Sequence, residues 1–145
     1  MRGKPFGLVG LLGRRTIRVL IVDDRDAFAG FVRVVAASCG CKPRILQVHE
    51  KFESVIAEWH PNIIVLDIIM PERDGIELIR SLATLSFPGQ LILISGAEEL
   101  YLTMAARTAR DYGLAVSASI QKPCRAEALR QEIRLAAALV RSGSE

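Results

Sequence analysis

The sequence predicts an α/β fold: a doubly wound, five-stranded parallel sheet with five helices on its two faces. Three observations predict it. Apolar runs of strand length alternate five times with segments whose apolar residues recur at helical spacing. The run at the middle of the chain is apolar at nearly every position, as expected for a strand covered on both sides. Several of these runs stop abruptly on a polar residue. Such alternation calls for right-handed crossovers with helices above and below the sheet. At 145 residues there is room for one domain, and a composition that is 50% hydrophobic and 24% charged supports a buried core rather than disorder.

Residues 16–22 are rich in β-branched side chains and stop at Asp23-Asp24, which reads as a buried first strand. Phe28, Phe31, Val32, Val35 and Cys39 then recur at helical spacing, and Gly40 is placed to stop that helix. Residues 44–48 form a short second strand. Phe52, Val55, Ile56 and Trp59 form the stripe of a second helix that ends before Pro61, because proline disfavours helical backbone in the residue preceding it. Residues 62–67 are the central strand, followed by a Met70-Pro71 turn and a third helix carrying Ile76, Ile79, Leu82 and Ala83. Pro88-Gly89 precedes the fourth strand, residues 90–95. A fourth helix spans 98–112 with Gly113 at its end, a weaker fifth strand spans 115–120, and Lys122-Pro123 turns into a last helix over 125–141. The domain is therefore placed at 16–141, between a basic lead at 1–15 and a flexible tail at 142–145.

Charge narrows the function classes. A net charge of +3 hints at an acidic partner such as nucleic acid. Yet five of the 19 basic residues, and no acid, lie in the first 18 positions, so the other 127 residues carry 14 basic against 16 acidic groups. The basicity belongs to the lead, and nucleic-acid binding by this domain is not expected. Cys39, Cys41 and Cys124 make an odd number, and the one-residue spacing of Cys39-Gly40-Cys41 is too short for a zinc knuckle. Reduced thiols in a cytoplasmic compartment are expected. The apolar stretch at 6–12 is broken by glycines and too short to span a bilayer.

Ligands of such sheets sit at the carboxyl ends of the strands, so the side chains there carry the functional question. The first strand delivers Asp23 and Asp24, the third Asp67, the fourth Ser95, and the fifth leads to Lys122. Three converging carboxylates repel one another and call for a cation. Few oxygen ligands completed by water suit Mg²⁺. The Lys122 ammonium and the Ser95 hydroxyl complete a site for the oxygens of a phosphoryl group, with Asp67 as nucleophile because it stands apart from the Asp23-Asp24 pair. Taken alone, Asp23-Asp24 reads more readily as a helix-capping pair than as metal ligands, and Asp26 could cap the first helix as well. His49 and His60 read as solvated polar residues away from this crevice.

With these residues assembled, the chain resembles the receiver domain of two-component response regulators over roughly 16–141. The segments that carry the resemblance are Val19-Leu20-Ile21-Val22-Asp23-Asp24, the run from Pro61 through Asp67 to Pro71 with Asp74-Gly75, Leu93-Ile94-Ser95-Gly96, and Lys122-Pro123. The resemblance implies a flavodoxin-like sheet in the order 2-1-3-4-5. It implies Asp67 as phosphoacceptor, Mg²⁺ held by Asp23, Asp24, Asp67 and the backbone carbonyl of Ile69, phosphoryl contacts from Ser95 and Lys122, and a Lys122-Pro123 turn that is cis in many relatives. A histidine kinase or histidine phosphotransfer protein would supply the phosphoryl group. The output would pass through the face made by the fourth helix, fifth strand and fifth helix.

Departures from the family pattern matter as much. The aromatic residue that receivers commonly carry three positions before the lysine is Ser119 here, so any conformational readout must use other groups. The two positions that tune dephosphorylation are Ile69 and Ala97, neither able to orient a water. Tyr101 and Tyr112 share a helix face with Met104, Ala105 and Thr108, either as packing or as a partner surface. The last helix has a second apolar stripe, Ala128, Leu135 and Leu139, beyond the one a sheet requires, which predicts a homodimer or a docked protein. The principal alternative is a degenerate receiver acting as a dimerisation or interaction module. An aspartyl-phosphate phosphohydrolase is disfavoured because Ile69 stands where a general acid is needed, and a flavin binder because Asp23-Asp24 would repel the phosphate of FMN. Turnover of an external substrate, binding to nucleic acid and attachment to a membrane are not expected.

Overall fold

Five strands, β1 (Arg18–Val22), β2 (Lys42–Ile45), β3 (Ile63–Asp67), β4 (Gln90–Ser95) and β5 (Ala115–Gln121), form one parallel sheet in the order β2-β1-β3-β4-β5. The computed structural model describes residues 15–143. The basic lead expected over 1–15 thus lies outside the described residues except for Arg15, as do residues 144 and 145 of the expected tail. Helices α1 (Asp26–Ser38) and α5 (Ala126–Gly143) cover one face, while α2 (Phe52–Trp59), α3 (Gly75–Thr84) and α4 (Glu99–Asp111) cover the other. The alternation read from the sequence and the expected strand order are both observed.

Burial explains why the middle of the sheet was the most readable part. Every residue of β3 is buried, and β1 and β4 are buried at all but their first residue. Each fully buried Ile or Leu there contributes about 1.5–3 kcal/mol relative to exposure. The two edges behave differently. Strand β2 begins at Lys42, two residues before the expected start, and includes Pro43. The proline is accommodated because the N–H groups of Lys42 and Leu46, not of residue 43, donate to the Ile17 and Ile21 carbonyls of the β1 segment. The Pro43 nitrogen belongs to the alternate set facing the open edge, where no ladder donor is needed.

At the other edge β5 carries a bulge. Leu91 pairs with Val116 and Ile92 with Ala118, leaving Ser117 as the extra residue with its buried hydroxyl unpaired. The insertion reverses the side-chain phase. Val116 packs on the α2-α3-α4 side, whereas Ala118 and Ile120 pack on the α1-α5 side. Ser119 is exposed.

Helix ends position the loops that matter. Asp26 does not cap α1; it is the first helical residue, where its negative charge is favoured by the positive end of the helix dipole, and Arg25 occupies the cap without a side-chain bond. Asp74 does cap α3, its Oδ1 accepting the Ile76 N–H at 2.9 Å. Gly75 then packs against the backbone of Ile68: a Cβ there would lie 2.4 Å from the Ile68 Cα and 2.5 Å from its carbonyl oxygen. The loop that follows β3 is pinned by this contact. No helix among the described residues is long and apolar enough to cross a membrane.

Because the atoms facing Gly75 are backbone and cannot swing aside, Gly75→Ala is expected to lower stability by roughly 2–4 kcal/mol. Urea unfolding checks this, and an unchanged midpoint would show that the loop is free to yield.

Candidate functional site

Three strand exits share one local device. Asp23 Oδ1 accepts the N–H of Arg25 at 2.9 Å, Asp67 Oδ1 accepts the N–H of Ile69 at 3.0 Å, and Ser95 Oγ accepts the N–H of Ala97 at 2.9 Å. Short oxygen-bearing side chains form such i to i+2 bonds readily, and here they turn the chain as each strand ends. For the two aspartates one oxygen is used in the turn. The other, Oδ2, is presented to the crevice.

Lys122 occupies the space between those free oxygens. Its Nζ donates to Asp23 Oδ2 at 2.9 Å and to Asp67 Oδ2 at 3.2 Å, with all three side chains largely buried. The backbone N–H of Lys122 donates to the Ser95 carbonyl at 2.8 Å, which holds the residue beside the strand ends, and the Lys122-Pro123 bond that follows is cis. Asp23 and Asp24 do not cap α1. Asp24 is exposed, and its carboxylate joins those of Asp23 and Asp67 in a cluster whose ligand oxygens lie within 4.8 Å of one another.

Electrostatics make this cluster tense. Burial pushes the Asp67 carboxyl up from its ordinary range, the Ile69 N–H and the Lys122 charge pull it down, and the negative charge of Asp23 adds to the rise. One ammonium thus serves two buried carboxylates, with a third close by. The donor set, hard carboxylate oxygens with one member open to solvent, fits a small divalent cation that keeps part of its water shell.

Two depressions flank the cluster. One, of about 330 Å³, is lined by Asp23 and Asp24 with Val48, Met70, Pro71 and Arg73. The other, of about 690 Å³, is lined by Asp67 and Lys122 with Phe28, Phe31, Pro123 and Cys124. Burial raises the thiol of Cys124 above its usual range, and the lysine charge opposes this. Cys41 is buried, Cys39 half-buried, and all three cysteines are free.

The structure brings together Asp23, Asp24, Asp67 and Lys122. Ser95 stands at the adjoining strand end but is fully buried, and it does not line the depression over Asp67. Ile69 uses its N–H in the Asp67 turn and leaves its side chain 49% exposed. Tyr112 accepts a hydrogen bond from Arg80 of α3 at 3.2 Å, and Tyr101 lines a groove with residues of the loop after β3, while Tyr101, Met104 and Tyr112 all remain exposed. Leu135 and Leu139 on α5 are 59% and 49% exposed.

Two neighbours of the site escaped sequence reading. Arg73 Nη2 donates to the carbonyls of Gln47, Val48 and Glu50 at 3.1–3.2 Å, tying the loop after β3 to the loop after β2. A single arginine between acids gives no signal of this. Phe28 was visible as part of a packing stripe, yet its ring lies under Lys122, with Nζ 4.3 Å from the centroid.

The sequence profile of the response regulator receiver domain matches residues 19–134. The uncharacterized transcriptional regulatory protein YesN of Bacillus subtilis is 30% identical over 111 residues, 74% of this chain and 28% of that protein. The KDP operon transcriptional regulatory protein KdpE of Escherichia coli is 32% identical over 81 residues, 56% of this chain and 36% of that protein. The chain therefore spans only about a third or less of the length of these relatives. Among solved structures, a response regulator from Colwellia psychrerythraea superposes with a TM-score of 0.74 at 31% identity, covering 86% of this chain and 99% of that one. A CheY-like receiver domain protein from Methanospirillum hungatei gives 0.75 at 22% identity, covering 89% and 99%. With the profile spanning well over half of its length, the chain belongs to the response regulator receiver domain family.

Proposed function

We propose that this receiver accepts a phosphoryl group on Asp67 from a phosphohistidine donor, in a cytoplasmic two-component or phosphorelay system. The observation that carries the reading is the Lys122 ammonium shared between Asp23 Oδ2 and Asp67 Oδ2 at the strand ends. An Asp67 oxygen forms the new P–O bond as the P–N bond to the donor imidazole breaks. The imidazole leaves with the electron pair of that bond and takes up a proton from solvent. The product is an acyl phosphate, and Lys122 moves from carboxylate to phosphoryl oxygen as charge gathers there. Asp23, Asp24, Asp67 and the Ile69 carbonyl would hold Mg²⁺, which neutralises charge on the transferring oxygens when bound. Ser95 keeps a hydroxyl proton to donate, since its oxygen is acceptor to Ala97.

The reading involves no turnover of an external substrate. Its partners are a histidine kinase or a histidine phosphotransfer protein, with the output passing through α4, β5 and α5. The exposed Leu135 and Leu139 support a docked partner or a homodimer on that side. A solved neighbour, 25% identical with a TM-score of 0.71, is described as a beryllofluoride-activated NtrC4 receiver domain dimer. An atypical receiver that works chiefly as an interaction module is the second reading. It is favoured by Ser119, an exposed hydroxyl on β5 where the family pattern has a ring.

Mass spectrometry after acetyl phosphate and Mg²⁺ treatment should find a single phosphoryl adduct that Asp67→Asn abolishes. An adduct that survives the substitution, or none in either protein, would sink the assignment. Because neither Ile69 nor Ala97 can hold a water in line, the adduct is expected to persist for minutes to hours in labelled protein. A half-life of seconds would contradict this.

The raised Asp67 carboxyl also fixes a pH dependence. A carboxylate held above its unfolded pKa binds more protons folded than unfolded between the two values, so its contribution to stability falls as pH rises through that window. Without divalent cation, Asp67→Asn should be more stable than the native chain at pH 7, by about 1 kcal/mol, and the gap should shrink as pH falls through the folded pKa. Denaturant titrations at several pH values check both points, and a less stable variant at pH 7 would refute them.

A further inference from the structure

We propose that Phe28 is a positioning residue for Lys122, its ring face being the fixed seat of the ammonium while the charged partners of that ammonium change. The consequence for phosphoryl transfer rests on the reading of Asp67 given above. The seat itself rests on geometry. The Lys122 side chain is 13% exposed, and its Nζ meets three groups: Asp23 Oδ2 at 2.9 Å, Asp67 Oδ2 at 3.2 Å, and the Phe28 ring centroid at 4.3 Å. Phe28 sits in the first turn of α1 and is itself held by Phe31, whose ring lies 5.5 Å away, tilted by 51°. The ring orientation is thus set by packing.

An aromatic face differs from the two carboxylates in kind. Its quadrupole attracts a desolvated cation, yet it takes no proton and carries no net charge. When a phosphoryl group arrives at Asp67, the ammonium must release a carboxylate oxygen and take a phosphoryl oxygen. With its carboxylate bonds loosening, a four-carbon stem would collapse onto Asp23 alone. A neutral attractor that is the same before and after transfer keeps Nζ over the reacting centre, and it makes no bond that must be broken. Phe28 also closes one side of the depression that holds Asp67 and Lys122. It touches no reacting atom, so its part is to place the lysine.

Fluorination tests this at nearly constant volume. Phe28 in the full chain is replaced by mono-, di- and trifluorophenylalanine, which weaken the ring face stepwise. The initial rate of Asp67-dependent adduct formation from acetyl phosphate with Mg²⁺ should fall in step, reaching roughly a third to a tenth of native in the trifluoro protein. Phe28→Tyr should keep the rate, and Phe28→Leu should lose it. A flat series would overturn the proposal, as would rates that merely track unfolding midpoints. A second readout needs no phosphoryl donor. The Lys122 ε-methylene protons should resonate upfield of an ordinary lysine through the ring current, remain there in Phe28→Tyr, and return to ordinary positions in Phe28→Leu. Ordinary positions in the native protein would overturn the seat even if phosphorylation proceeds. Absence of any adduct with upfield protons intact would remove the phosphoacceptor reading and, with it, the proposed role in transfer.

Discussion

The ammonium of Lys122 lying between Asp23 and Asp67 is the interaction on which the rest of the site depends. Carboxylates are gathered here at a density that burial and mutual repulsion both oppose, and a single buried cation answers two of them. The fold tolerates this because each aspartate is partly spent: Asp23 and Asp67 give one oxygen to a backbone turn and offer only the other to the crevice. The resulting arrangement is satisfied in geometry and strained in charge. That combination suits a site whose stability should increase when a further positive charge or a neutralising covalent bond arrives.

The sheet delivers these groups through a topological reversal. Strands β1 and β3 are neighbours, but the helices that follow them lie on opposite faces, so a crevice opens where their ends part. Asp23 and Asp67 end up on its two sides, with Lys122 arriving from the edge strand. Loop anchors then keep the crevice from relaxing. Gly75 packs on the Ile68 backbone, Asp74 caps α3, and Arg73 fastens the loop after β3 to the one after β2 through three carbonyls. These contacts surround Asp67 with backbone that has little freedom to move.

Some of this was legible in the sequence and some was not, and the division has a physical cause. Strands β3 and β4 were read within a residue because burial on both faces leaves an unbroken apolar run that stops where the polar end begins. The same abrupt ends exposed Asp67 and Ser95. At the edges the signal fails. Pro43 argues against a strand until its nitrogen is known to face outward, and Ser117 gives no hint of the bulge that sends Val116 and Ala118 to opposite faces. Side chains that act through geometry alone were equally silent. Phe28 has the periodicity of a core residue, and only the observed packing puts its ring beneath an ammonium. Spacing places Tyr101 and Tyr112 on one face but does not say what each meets: Tyr112 meets Arg80 of α3, and Tyr101 lines a groove with the loop after β3.

The surroundings of the cluster are unequal, and the inequality bears on how it would work. On the side of Asp24 the crevice is walled by carboxylates and by the loop that Arg73 clamps. On the side of Lys122 it opens past Phe28, Phe31, Pro123 and Cys124, a mostly apolar approach with the ammonium at its base. A hydrated cation is matched by the first environment and poorly served by the second. A phosphorylated imidazole, planar and partly apolar with its charge concentrated at one end, suits the second. On the reading proposed above, entry from opposite sides would let the cation and the donor meet at Asp67 without competing for one opening. In this arrangement Lys122 stands at the boundary, and whatever fixes its position decides how well the two halves of the site cooperate.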